Sequence, residues 1–345
     1  MQDKKRILWI DIMRGILMIA IVIGHVFTDG LLRRWVFSFH VPAFFFLSGF
    51  CFHYTERFGS FLLKKVRTIV IPYFFFSLIS ICIFWIGSMV MPSLSSMVEC
   101  DPVKNVWVML YGNSKPEVMR YNLPLWFLPC LFTTSLFGFG TETIARKFGK
   151  ASRFLVIAIF VALGIFFSIN ENIALPWHTE TACSMAVWFV LGIIVQEAQI
   201  TEKLNSRPLI PACLICIVGG VLLSMLNTRA VGVRNEHYGI IPLYYAAAAL
   251  GIIGIGLLSM SITRGKVLEY IGINSLVVLG FHKFPILVFQ EIIPITNRLL
   301  TEPDSAGGMV AGMLVTIISI AFSLIVSLFI NRFTPWMIGK RKVKH

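Results

Sequence analysis

The chain has 345 residues, of which 57% are hydrophobic and 14% charged, with a mean hydropathy of +0.81 and 30 phenylalanines. Soluble domains carry about a quarter charged residues, so this composition excludes a water-soluble globular domain and predicts an all-α, polytopic membrane bundle. A net charge of +13 would suit nucleic acid, but the way the charge is distributed argues against that partner.

Ten apolar segments can be marked along the chain, at 7–27, 35–54, 68–91, 123–142, 153–170, 181–198, 209–226, 240–260, 271–294 and 308–331. Their loops alternate in basic content. One side holds Lys4, Lys5, Arg6, Arg57, Lys64, Lys65, Arg67, Arg146, Lys147, Lys150, Arg153, Lys203, Arg207, Arg264, Lys266, Lys340, Arg341, Lys342 and Lys344. The other holds only Arg33, Arg34, Lys104, Lys115, Arg120, Arg229, Arg234 and Arg298. The excess of Lys and Arg on the first side predicts that this side, with both termini, is cytoplasmic. The basic residues thus read as a topology signal, and the expected location is the cell membrane. No linker or internal repeat divides the chain, so a single domain over 1–345 is expected.

The first segment, Ile7 to Phe27, contains Asp11, Arg14 and His25. It lacks a small-residue cleavage site and is not read as a signal peptide. Eleven positions from Arg14 to His25 make close to three helical turns, so the two share a face about 16 Å apart, and Asp11 joins that face. Ionisable groups in a bilayer are costly, which predicts that this stripe faces a polar cavity. At 1.5 Å per residue, His25 falls toward the outer leaflet and Arg14 in the cytoplasmic half.

The second segment opens Phe37-Ser-Phe-His-Val-Pro-Ala-Phe-Phe-Phe-Leu-Ser-Gly-Phe50, with His40 at its outer end, close to His25 if the two helices form a short hairpin. The loop at 92–122 contains Pro92, Pro102 and Pro116 and is long enough to cover an outer opening. Leu123-Pro-Leu-Trp126 begins the fourth segment, with Trp126 read as an interfacial anchor on the substrate side. His178, before the sixth, reads as a solvated loop residue. The ninth segment holds the adjacent pair His282 and Lys283, of which only one can face a cavity squarely, followed by Pro285, which predicts a kink.

Seven cysteines carry little signal. Cys213-x-x-Cys216 lacks a redox-fold context, and Cys100 with Cys130 is the one pairing worth testing. Gly308-x-x-x-Gly312 reads as helix packing. The chain has no phosphate-binding glycine loop, His-x-x-x-His zinc helix or Gly-x-Ser-x-Gly elbow, which argues against an ATPase, a zinc protease and a serine hydrolase; no metal is expected.

Arg14 spaced ten residues from His25, then Phe39-His-Val-Pro-Ala-Phe-Phe-Phe-Leu-Ser-Gly49, then Lys64-Lys-Val-Arg67 running into Ile71-Pro-Tyr73, together resemble the acyltransferase-3 family of integral membrane acyltransferases. Leu123-Pro-Leu-Trp-Phe-Leu and Ile271-Gly-Ile-Asn-Ser-Leu276 with His282 are similar to its fucose-4-O-acetylase-like branch. The resemblance runs in order along nearly the whole chain. Larger members carry an added extracytoplasmic hydrolase-like domain, which is not expected here.

What the resemblance implies is transfer of an acyl group, acetyl by default, from cytoplasmic acetyl-CoA to a hydroxyl of a cell-envelope glycan or lipid-linked sugar. Acetyl-CoA is then a substrate, and no permanently bound cofactor is expected. His25 is the candidate base, with His40 or His282 as the substitute, and neutral imidazole is suited either to taking the hydroxyl proton or to accepting the acyl group itself. Arg14 suits a CoA phosphate or the holding of Asp11, and Lys64, Lys65 and Arg67 suit CoA phosphates. His282, Lys283 and Trp126 are the candidates for the acceptor side. Two other classes stay open: a transporter or flippase of a lipid-linked sugar, and a structural partner. Neither paired broken helices nor a repeat supports the first, and the second leaves the Asp11–Arg14–His25 stripe unexplained.

Overall fold

The computed structural model describes residues 7–92, 94–115, 122–204 and 209–340. Of the residues used above to assign sidedness and loop character, Lys4, Lys5, Arg6, Pro116, Arg120, Arg207, Arg341, Lys342 and Lys344 lie outside the described residues. The described chain is helical and contains no strand. That is what apolar segments of this length dictate, because a helix satisfies its own backbone hydrogen bonds where water is absent.

Eight helices among the described residues are long and apolar enough to cross a membrane: Leu8–Val26, Phe58–Val90, Leu123–Phe148, Ser152–Ile169, Pro176–Glu197, Ile241–Ser261, Ser275–Ile292 and Ala306–Phe333. The two remaining expected spans are also helical. Ile210–Leu226 is shorter, and Leu31–Phe50 is made less apolar by Arg33, Arg34, His40 and Pro42. The third expected span starts earlier than its apolar run. A continuous helix from Phe58 takes in Lys64, Lys65 and, within a π-helical stretch at Val66–Val70, Arg67.

The ninth segment is more broken than one proline suggests. Lys266–Ile273 ends at Asn274, Ser275–Phe281 ends at His282, Lys283–Leu287 follows, and Val288–Ile292 is π-helical. Pro285 has no N–H to give to the carbonyl of Phe281, and the break falls in that turn. The expected loop at 92–122 contains its own helix, Pro102–Tyr111, whose N-cap Asp101 accepts from the backbone N–H groups of Val103 and Lys104. All seven cysteines are free, so Cys100 and Cys130 are not paired.

The contacts define two compact units. One comprises Met1–Leu47, Val195–Gly232 and Tyr238–Leu328; the other comprises Ser48–Ile194, Val233–His237 and Phe329–His345. In the first unit, Leu8–Val26 crosses Lys266–Ile273 with the backbones in contact. A Cβ on Gly15 would collide with the carbonyl oxygen of Leu268, and one on Gly272 with that of Asp11. In the second, Phe52, Phe61, Phe189 and Ile193 form a buried cluster against which Phe139 and Tyr54 pack. There the Arg153 guanidinium is buried and forks onto Glu142, with Nε to Oε1 at 2.8 Å and Nη2 to Oε2 at 2.5 Å. Arg153, one of the basic residues used for sidedness, is buried as the ion-pair partner of Glu142.

The crossing predicts a sharp contrast between glycines. Gly272→Val must push two helix backbones apart and should lower stability by about 1–3 kcal/mol or more, read as a fall in the thermal unfolding midpoint of purified protein. Gly59→Ala, where a Cβ meets nothing within 4 Å, should leave the midpoint unchanged.

Candidate functional site

The first unit gathers the histidines of the first, second and ninth segments. His25, half-buried in the last turn of Leu8–Val26, lies with its ring centroid 5.3 Å from that of His282. The imidazole of His25 makes no hydrogen bond among the described residues. His282 is fully buried; its Nδ1–H donates to the carbonyl of Val278 at 2.7 Å, which leaves the neutral ring's lone pair on Nε2. That Nε2 has no hydrogen-bond partner among the described residues. A buried imidazole nitrogen held as an acceptor with nothing to accept is an unusual expense for a fold, and it lies in the ring packed against His25.

His40 follows the same pattern. It is buried, and its Nδ1–H donates to the carbonyl of Val36 at 2.5 Å, leaving Nε2 as the acceptor. Phe37 touches both histidines, edge-on to His40 at 5.0 Å and to His25 at 6.4 Å between centroids. It lies this close because residue 24 is glycine; a Cβ there would overlap the Phe37 ring. Arg33 covers the Phe37 ring, its guanidinium carbon 4.3 Å from the centroid.

Gln290, in the π-helical stretch, ties this group together. Its Nε2 donates to the backbone carbonyls of His25 at 3.1 Å and Val26 at 2.9 Å, and its Oε1 accepts from Lys283 Nζ at 3.4 Å. Carbonyls in the last turn of a helix have no partner within that helix, so one side-chain amide both caps Leu8–Val26 and holds the backbone of His25. The sequence reading missed Gln290. Its signal was faint: a single amide in an apolar run, five residues after Pro285. Further along the first helix, Arg14 Nη1 donates to Asp11 Oδ1 at 3.3 Å, with Asp11 buried and Arg14 half-exposed. Arg14 is therefore engaged with Asp11.

The other predicted residues lie in the second unit. Lys64 and Arg67 are exposed, and Lys65 lies over the Phe61 ring at 5.7 Å. Trp126, expected at an interface, is instead buried against the ring of His178 at 5.2 Å. His178 is itself fully buried, which corrects its reading as a solvated loop residue.

Around His178 runs a buried charge network invisible in the sequence, since its members are far apart in the chain. Lys115 pairs with Glu236 and lies 3.6 Å from Glu180, and its ammonium also donates to the carbonyl of Ile173 at 2.9 Å. Glu180 accepts from Asn113 Nδ2 at 2.7 Å and from the Leu175 N–H at 3.0 Å, while Glu236 accepts from the Thr181 hydroxyl. Arg234 donates to the carbonyl of Ser114 at 3.1 Å. Burial holds both Lys115 and Arg234 below their ordinary pKa range, and for Lys115 the carboxylate of Glu180 works in the opposite direction.

Ser114 Oγ, His178 Nε2 and Glu180 Oε1 form a line, with Oγ 3.0 Å from Nε2 and Nδ1 3.6 Å from Oε1. Their order is that of a hydrolytic triad, but the N–H of Ser114 also points at Nε2, at 3.1 Å. The one lone pair of the ring is thus already engaged by an amide, and all three side chains are fully buried. The trio locks loops together; it does not activate a nucleophile.

The Gln290 contacts predict that Gln290→Leu, which keeps the volume and removes the amide, leaves the carbonyls of His25 and Val26 uncapped and lowers the thermal unfolding midpoint while the protein still folds. Gln290→Glu loses the donor to both carbonyls and should behave in the same way. Folded protein by size exclusion, with a lower midpoint, is the expected result.

Comparison with curated proteins gives no match, and neither does comparison with solved structures. Comparison with protein families does: the model of an acyltransferase domain matches residues 7–332, which takes in every helix of the histidine site and nearly the whole chain. The sequence resemblance and the helical membrane architecture agree with this match, and the chain belongs to the acyltransferase-3 family of membrane acyltransferases.

Proposed function

We propose that this acyltransferase moves an acyl group, acetyl by default, from cytoplasmic acetyl-CoA to a hydroxyl of a cell-envelope glycan or lipid-linked sugar, in the cell membrane. The observation that carries the reading is the ring pair of His25 and His282, with His282 Nε2 buried and unpartnered. A thioester is already activated, so what the protein has to supply is a base for the acceptor hydroxyl and shelter from water.

In this reading His25 takes the hydroxyl proton as the hydroxyl oxygen attacks the thioester carbonyl. The tetrahedral intermediate then collapses, the C–S bond breaks, and the thiolate of CoA leaves and is protonated, which restores neutral His25. His282, its Nδ1–H committed to Val278, offers Nε2 as the acceptor of a second hydrogen bond from the sugar or from His25. Lys283 and Gln290 hold the other side of the site. Arg14 with Asp11 lies toward the cytoplasmic end of the same helix, where a cation suits the phosphates of CoA. In the second unit, Lys64, Lys65 and Arg67 are exposed or half-exposed cations of the kind that suits CoA phosphates. The acceptor, by analogy with the fucose-4-O-acetylase-like branch, is a sugar hydroxyl.

His25→Gln preserves most of the shape but cannot take a proton at neutral pH, and should lower acyl transfer to envelope glycan by about 10²–10⁴. The measurement is incorporation of labelled acetyl from acetyl-CoA in membranes containing equal amounts of the two proteins. Near-normal transfer by His25→Gln would move the base to His40 or His282. Replacing Lys64, Lys65 and Arg67 together by glutamine should raise the acetyl-CoA concentration needed for half-maximal transfer and leave the maximal rate nearly unchanged. An unchanged requirement would reduce these charges to topology alone.

A further inference from the structure

Around the histidine site of the first unit, two cations stand without a carboxylate in contact. Arg33 lies half-buried near the start of Leu31–Phe50, with its guanidinium over the Phe37 ring. That same ring meets both His40 and His25 edge-on. Lys283 follows His282, and its ammonium meets the neutral amide oxygen of Gln290 at 3.4 Å. Neither cation forms an ion pair among the described residues. Both charges act on the His25 ring; Arg33 acts on that of His40 as well, and Lys283 on that of His282.

The carboxylates of these helices and their loops are placed elsewhere. Asp29 and Glu291 are exposed, and they act on Arg33 and Lys283 only across space. Asp304, also exposed, accepts from the Leu31 N–H at 3.2 Å and so occupies the N-terminus of the helix that carries Arg33. Asp11 is paired with Arg14 further along the first helix. Between exposed groups beyond contact distance, water and salt weaken the attraction.

A half-buried guanidinium has given up part of its hydration, and the aromatic face beneath it replaces only some of that. Arg33 makes no hydrogen bond among the described residues, so its N–H donors are kept in a planar fork that matches the oxygens of a phosphate or a carboxylate. The buried Nε2 of His282 has the opposite need. Its unpartnered lone pair repels a bare anion and takes a hydrogen-bond donor such as a hydroxyl. The rings therefore suit a hydroxyl and Arg33 suits an oxyanion.

We propose that Arg33 is an anion-binding residue of the histidine site, and that the molecule entering the site carries an oxyanion, phosphate or carboxylate, together with a hydroxyl. Lys283 strengthens the positive field from the other side of His25. The proposal rests on the histidine group being a binding site and not on acyl transfer, because binding is read without any acyl donor.

The test uses the full chain in phosphatidylcholine nanodiscs at constant ionic strength. The probes are glycerol 3-phosphate, glycerate and glycerol, each titrated by saturation-transfer NMR. The anions should bind more tightly than glycerol. Arg33→Gln should weaken the better anion by about ten-fold, as expected when a charge-assisted hydrogen bond is lost. Arg33→Lys should restore part of the binding, and Arg298→Gln, which removes an exposed cation outside the site, should leave it unchanged. Size exclusion checks that each variant is folded. Adding phosphatidylglycerol to the discs separates the sources of the oxyanion: competition seen only where Arg33 is present assigns it to a lipid headgroup, and unchanged binding assigns it to a ligand from water. The proposal is overturned if neither anion binds better than glycerol, if Arg33→Gln binds as the parent chain does, or if Arg298→Gln weakens binding equally. His25→Gln should lose acyl transfer and still bind the anion, so each reading can fail without the other.

Discussion

Two helices of the first unit cross with their backbones touching, and the histidine site depends on that crossing. Leu8–Val26 carries Asp11, Arg14 and His25; the segment that begins at Lys266 carries His282, Lys283 and Gln290. A Cβ on either Gly15 or Gly272 would force the two apart. With no hydrophobic drive between helices in lipid, close van der Waals approach is what holds them, and glycine makes it available. His25 can then reach His282, and Gln290 can reach the end of the first helix.

The site shows how an apolar bundle keeps imidazole side chains in place. His40 and His282 each give their Nδ1–H to the carbonyl four residues earlier, on their own helix. That single bond sets both the ring orientation and the tautomer, and it directs a basic nitrogen away from the backbone. His25, last-turn and without such a bond, is positioned from outside, by its ring neighbours and by Gln290 on its carbonyl.

The second unit solves a different problem, with its charges in loops and helix ends. The side chains of Lys115, Glu180 and Glu236 satisfy one another together with amide and hydroxyl neighbours, and Arg234 donates to the carbonyl of Ser114 beside them. Removing one partner from such a set leaves an uncompensated buried charge, so the network specifies one loop arrangement more than it adds net stability.

Much of the molecule was legible in the order of its residues. Apolar runs of this length became helices, which satisfy their own backbone where water is absent, and eight among the described residues are long and apolar enough to cross a membrane. The spacing of Arg14 and His25 placed both on one helix, and the match of the acyltransferase family agrees with the motifs that gave the resemblance. What local sequence could not carry was partnership across distance. The pairing of Arg153 with Glu142, and the burial of His178 beneath Ser114 and Trp126, are written in neither stretch of sequence alone. Gln290 gained its meaning only when the tertiary fold set its amide on carbonyls 264 and 265 positions away. Periodicity and hydropathy are properties of a single helix and survive without neighbours; burial and hydrogen bonding are properties of pairs, and only the packed structure decides them.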